Sequence, residues 1–121
     1  MNNYLTREQL KAKLNVGKAV EQWLGHYDSD DGRVLKWLRI YSQKEEYNLL
    51  YIECYDQGGV DNLDISDFTV VDPDEPYGLL DTFNTPDEVI NFSLDKYGAE
   101  IDHFVNDGMI QEEYLNYLIN K

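Results

Sequence analysis

The chain has 121 residues and carries 24 acidic side chains against 10 lysines and arginines, a net charge of −14. That balance excludes nucleic-acid binding led by phosphate contacts, whose affinity comes from lysine and arginine, and attraction to an anionic membrane surface. Hydrophobic residues at 42% and aromatics at 13% suffice for a core without disulfides, so one domain spanning residues 1–121 is expected.

Met1 to Arg7 is polar and lacks the apolar centre of a secretion signal. No apolar run approaches the roughly 18 residues of a membrane span. A cytoplasmic location is expected. Thr6-Arg7-Glu8-Gln9 carries a capping-box pattern, Thr6 as N-cap and Gln9 three residues on, with Leu10 and Leu14 on one side of the helix it opens. Lys18 to Leu24 reads as a second helical piece with Val20, Trp23 and Leu24 as its apolar set, ended by Gly25. His26 to Gly32 is loop by composition.

The runs Val34 to Tyr41 and Tyr47 to Tyr55 are rich in β-branched and aromatic residues, and polar Ser42 to Glu46 joins them. This is the pattern of a hairpin. Asp56 to Asn62 holds two glycines and reads as a turn. Leu63 to Val71 is expected to be a third strand, although Ser66-Asp67 breaks its alternation. Asp72-Pro73-Asp74-Glu75-Pro76-Tyr77-Gly78, with two prolines and three acids, is an exposed loop, and Leu79 to Phe83 a short edge strand. Thr85-Pro86-Asp87-Glu88 combines an N-cap, proline at the first helical position and a capping-box glutamate. Ile90, Leu94 and Tyr97 continue that helix to Gly98. A short helix around Ile101, Phe104 and Val105 and a last helix starting near Gly108 complete the chain. Contiguous strands between amphipathic helices imply an α+β fold: an antiparallel sheet of three to four strands in mid-chain, packed on one face by N-terminal and C-terminal helices.

Chemistry-bearing patterns are absent. Counted from Asp28, Gly32 falls fifth and Arg39 twelfth, whereas a calcium loop needs glycine at six and a bidentate acid at twelve. One cysteine and two distant histidines do not make a zinc site. No nucleophile elbow, phosphate loop or dinucleotide fingerprint occurs. No metal, no cofactor and no catalysis are therefore expected. Cys54 lies in an apolar strand and reads as a small buried hydrophobe.

Charge and aromatics remain informative. From Glu45 to Asp95 the chain contains no Lys, Arg or His, so its middle carries a negative field felt over a Debye length of about 8 Å. Along Tyr47 to Tyr55, alternation sends Tyr47, Tyr51, Glu53 and Tyr55 to one face and Leu50, Ile52 and Cys54 to the other. If helices cover the second face, the first looks outward and offers aromatic anchors; if helices cover both, the tyrosines are core residues with hydroxyls at the edge. The candidate partner-binding residues are Tyr47, Tyr51, Glu53 and Tyr55 with the loop acids Asp72, Asp74 and Glu75.

In size, acidity, aromatic content and lack of catalytic parts, the chain resembles the small immunity proteins of bacterial toxin systems. That resemblance implies tight binding of a basic toxin domain, often a nuclease, through the acidic surface. A monomer or weak homodimer is expected. A small regulatory or scaffold domain, self-associating through the hairpin face or an edge strand, is the alternative.

Overall fold

A computed structural model describes residues 4–76 and 78–120; Met1 to Asn3 of the predicted polar N-terminus and Tyr77 of the predicted loop lie outside the described residues. The elements are α1 (Arg7–Asn15), β1 (Val20–Ser29), β2 (Gly32–Gln43), β3 (Glu46–Tyr55), a 3-10 turn (Ile65–Asp67), β4 (Leu79–Phe83), α2 (Pro86–Tyr97), β5 (Val105–Asn106) and α3 (Ile110–Asn120). The strands form an open antiparallel sheet in the order β4-β3-β2-β1-β5. The fold is α+β, as the sequence implies, with five strands among the described residues instead of three or four. None of the helices is long and apolar enough to cross a membrane.

The β2–β3 hairpin forms as its alternation predicts, with Trp37 opposite Ile52 and Ile40 opposite Leu49. Its turn places Lys44 and Glu45 at φ 54° and 67°, the left-handed pair whose twist matches the flanking strands. Thr6 and Thr85 both cap their helices as read, but the reciprocal capping-box bond forms at α1, while at α2 the Glu88 carboxylate accepts from the Thr85 hydroxyl at 3.1 Å. Thr6 Oγ1 accepts from the Gln9 amide at 3.1 Å and the Gln9 side chain accepts from the Thr6 amide at 2.9 Å. Thr85 accepts from the Glu88 amide at 3.1 Å, and Gly98 closes α2 in the left-handed region.

Helices cover both faces of the sheet, not one. On the first face α1 and α2 pack Leu10, Leu14, Val89 and Ile90 against Val20, Leu38, Ile40 and Leu49. On the second, α3 and the 3-10 turn pack Ile110, Tyr114, Ile65 and Phe68 against Leu35, Trp37, Ile52 and Cys54. Each such aliphatic side chain contributes about 1.5–3 kcal/mol by leaving water.

Four predicted elements are different in the structure. Lys18 to Leu24 is not a helix; from Val20 it is strand, and Val20 and Trp23 fall on opposite faces of the sheet. A strand buried on both sides loses its period-two signature, and here Val20, Trp23 and Leu24 reproduce helical spacing by chance. Residues 26–29 continue β1, because a register shift between Trp23 and Gly25 realigns it with β2 and Asp28 pairs across the strands with Arg33, Nε to Oδ1 at 2.6 Å. Leu63 to Val71 is not a strand. Ile65 and Phe68, three apart, both enter the core from the 3-10 turn, and residues 69–71 meet β3 in a single isolated bridge centred on Val70 and Cys54. Phe104 and Val105 belong not to a helix but to the approach and start of β5, where the Leu5 amide donates to the Phe104 carbonyl at 2.8 Å.

Candidate functional site

The outer edge of β3 is shared by two separate segments. Along Tyr47 to Tyr51 it pairs with β4; along Glu53 to Tyr55 it pairs with residues 69–71, the Val71 amide donating to the Glu53 carbonyl at 3.0 Å and the Tyr55 amide to the Thr69 carbonyl at 2.9 Å. Between these partners the chain loops outward through 72–76. Local bonds shape the loop: the Asp74 amide donates to Asp72 Oδ1 at 2.9 Å and the Glu75 amide to the Asp72 carbonyl at 3.0 Å. Gly78 brings it back against the sheet at φ +96°, where an added Cβ would lie 2.6 Å from the Tyr51 carbonyl oxygen. Only glycine fits that approach.

This break in the edge leaves a pocket of about 170 Å³ lined by Tyr51, Glu53, Asp72, Glu75 and the apolar Val70, Val71 and Leu79. Glu53 is held from two sides. The Tyr51 hydroxyl donates to Oε2 at 2.6 Å and the Tyr27 hydroxyl to Oε1 at 2.7 Å. Tyr51 is itself fixed by stacking on Tyr97 at the end of α2, with centroids 4.2 Å apart and planes 6° from parallel. The bond to Glu53, with some burial, pushes Tyr27 up to about 12, and burial followed by the same carboxylate raises Tyr51 further. Both phenols thus stay protonated as donors, and the carboxylate stays oriented. Apolar walls under a rim of carboxylates suit a cationic side chain with an aliphatic stem, as lysine and arginine have.

The seven candidate residues divide. Tyr51, Glu53, Asp72 and Glu75 meet in the pocket. Asp74 is exposed on the same loop. Tyr55 lies one row beyond Glu53, across from Val34, which Tyr27 faces from the other side. Tyr47 is at the opposite end of β3, between Ser42 and Phe83, and packs against the core under α1 and α2. That core reaches Leu38 and Tyr51 and stops, so the row of Gly25, Lys36 and Glu53 and the row of Tyr27, Val34 and Tyr55 lie past it. The tyrosine face is covered at one end and partly open at the other. Tyr27 and Tyr97 were missed by sequence reasoning; the first lay in a stretch read as loop and the second in a helix stripe read as core.

The second face holds a larger recess of about 390 Å³, walled by Trp37, Ile52 and Phe68 and closed at one end by Glu21, Arg39 and Asp107. Glu21 is 3% exposed, yet its Oε1 accepts from the Gly108 amide at 2.8 Å and the Ile110 amide at 3.1 Å, while Oε2 accepts from Arg39 at 2.9 Å. Burial raises its pKa, and those donors oppose the rise. Here a strand side chain supplies the acceptor that the start of α3 needs. Cys54 is fully buried, its thiol pushed up to about 12 by burial, with the Trp37 indole beside it.

No family model matches the chain, and neither do any curated protein or solved structure.

Proposed function

We propose that this protein is an acidic, non-catalytic protein-binding domain, an immunity or inhibitor protein that neutralises a basic toxin or nuclease domain in the cytoplasm. The observation that carries the reading is the meeting of Tyr51, Glu53, Asp72 and Glu75 around one pocket, within the stretch that has no Lys, Arg or His between Lys44 and Lys96. A nuclease must expose lysine and arginine to hold phosphates, and a pocket with apolar walls and a carboxylate rim is complementary to such a side chain. Opposite fields raise encounter rates by about 10–10³, and stacked tyrosines then slow dissociation. The half-open tyrosine face beside the pocket supplies further contact area around Tyr27 and Tyr55.

The test is a comparison of wild type with a charge-reversed variant, Asp72→Lys with Glu75→Lys, both exposed positions. Immobilised wild type is expected to retain a basic protein from native lysate at low salt, to release it as salt rises, and to inhibit its activity in solution. The variant should do none of these. Identical retention by both proteins, insensitive to salt, would sink the reading.

A further inference from the structure

We propose that β4 is a docking edge: an extended, basic segment of the partner adds to the sheet alongside Leu79–Phe83 and places a lysine or arginine in the pocket at the start of that strand. The proposal rests on the protein-binding reading above and specifies its geometry.

β4 is the outermost strand, paired with β3 on one side and with no strand of the described residues on the other. Exposed edges of this kind are ordinarily guarded by lysine, proline, a bulge or a covering loop. This one is not. Its five residues are Leu79, Leu80, Asp81, Thr82 and Phe83; they pair with β3 in unbroken register, and Leu79 and Leu80 are 46% and 55% exposed. The opposite side of the sheet is handled differently, since β1 is capped by β5 at Val20 and Glu21 and carries a register shift between Trp23 and Gly25. Leu79 lies in the row of Tyr51 and Leu80 in the row of Leu50, so the exposed leucines point to opposite faces. An incoming strand would find an apolar neighbour on each face, as cross-strand pairing favours.

Charge decides the occupant. Leu79 is a wall of the pocket bounded by Glu53, Asp72 and Glu75, so edge and pocket are continuous. A second copy of the chain would pair β4 with β4 and bring together two regions that hold no base, in a molecule of net charge −14. Like charges set face to face are destabilising. A basic strand reverses that sign at the acidic contacts: its backbone completes the ladder, consecutive side chains meet the two leucines on their opposite faces, and one cation enters the pocket.

The experiment uses the full-length protein, isotope-labelled for amide NMR, with a blocked octapeptide of alternating valine and lysine as probe. Two control peptides carry glutamate for lysine, or N-methyl groups on alternate backbone nitrogens. Binding of the lysine peptide should shift the amides of Leu79–Phe83 and slow their hydrogen exchange. N-methylation should weaken it at least tenfold, as should Asp72→Lys with Glu75→Lys, and the glutamate peptide should not bind. Shifts confined to Tyr27, Lys36 and Tyr55 with no effect of N-methylation would overturn strand addition while leaving an acidic binding face. Equal affinity for lysine and glutamate peptides would overturn both. Absence of binding at millimolar peptide, or a concentration-dependent dimer abolished by Leu80→Lys, would also refute the proposed occupant.

Discussion

Replacing Glu21 with alanine removes an acceptor that serves three donors at once, and the structure sets the size of the loss. The buried carboxylate takes hydrogen bonds from the amides of Gly108 and Ile110 and from Arg39. In Glu21→Ala the Ile110 amide stays buried with no acceptor, the Gly108 amide is left half-buried, and the Arg39 guanidinium keeps only Asp107. Each orphaned donor costs about 1–3 kcal/mol, offset in part because a buried carboxylate no longer has to be desolvated. The balance is about 3–5 kcal/mol, the range found when one partner of a buried pair is removed. Against the usual 5–15 kcal/mol for a whole domain, that is a large fraction. Glu21→Gln keeps an acceptor for the α3 amides but turns an N–H towards Arg39, and is expected to cost about 1–2 kcal/mol. Urea unfolding followed by tryptophan fluorescence measures both, since Trp23 and Trp37 lie in the core of this face. The pH dependence gives a second check. The folded pKa of Glu21 is raised above 4.5, so the folded state binds the proton more tightly than the unfolded one. Its contribution is fully present below 4.5 and is lost as pH rises through the folded value. Wild type should therefore gain stability relative to Glu21→Gln as pH falls from neutrality towards 4.5. A Glu21→Ala loss below about 1 kcal/mol would refute the assignment of Glu21 as the anchor of α3, whereas a gap that narrows on acidification would mean that the donors to Glu21 outweigh its burial.

Three further outcomes follow from particular side chains. Gly78→Ala should lower stability by about 1–3 kcal/mol, read as a drop in melting temperature, since it imposes a left-handed backbone and a collision with the Tyr51 carbonyl; unchanged melting would show that the loop re-routes freely. In a spectrophotometric titration, the difference between wild type and Tyr27→Phe should reveal a phenol ionising near 12, and Glu53→Gln should return it towards 10.0. A Tyr27 curve centred on the ordinary value in the wild type would mean the hydroxyl does not engage Glu53. Cys54, fully buried with its thiol pushed up to about 12, should resist iodoacetamide in the native protein at pH 8 and react within minutes in urea, with mass spectrometry as the readout.

The parts of the fold legible in the sequence are those specified locally. The hairpin from Val34 to Tyr55 announced itself by strand-forming residues around a polar turn, and α1 and α2 by caps that lie within four residues of each other. β1 was illegible because helices cover both faces of the sheet, so Val20, Glu21, Gln22 and Trp23 are buried or half-buried in succession and no alternation survives. The 3-10 turn is hidden because one turn is too short to display its three-residue period, although Ile65 and Phe68, three apart, point to one core. At the pocket, acidity and tyrosine content mark the residue types that meet there. Their convergence was not readable, because it depends on β3 pairing with two segments at once. Glu21 carried no local mark at all: its partners Gly108 and Ile110 lie 87 and 89 residues away.

The divided edge of β3 separates two demands that evolution usually has to satisfy together. Both stems of the loop at 72–76 are fastened to the same strand, one at Val71 and the other at Leu79, while residues 72–76 are exposed. Substitutions there meet the sheet only through these two fastenings, so the side chains of the loop can change while the frame that presents them stays the same.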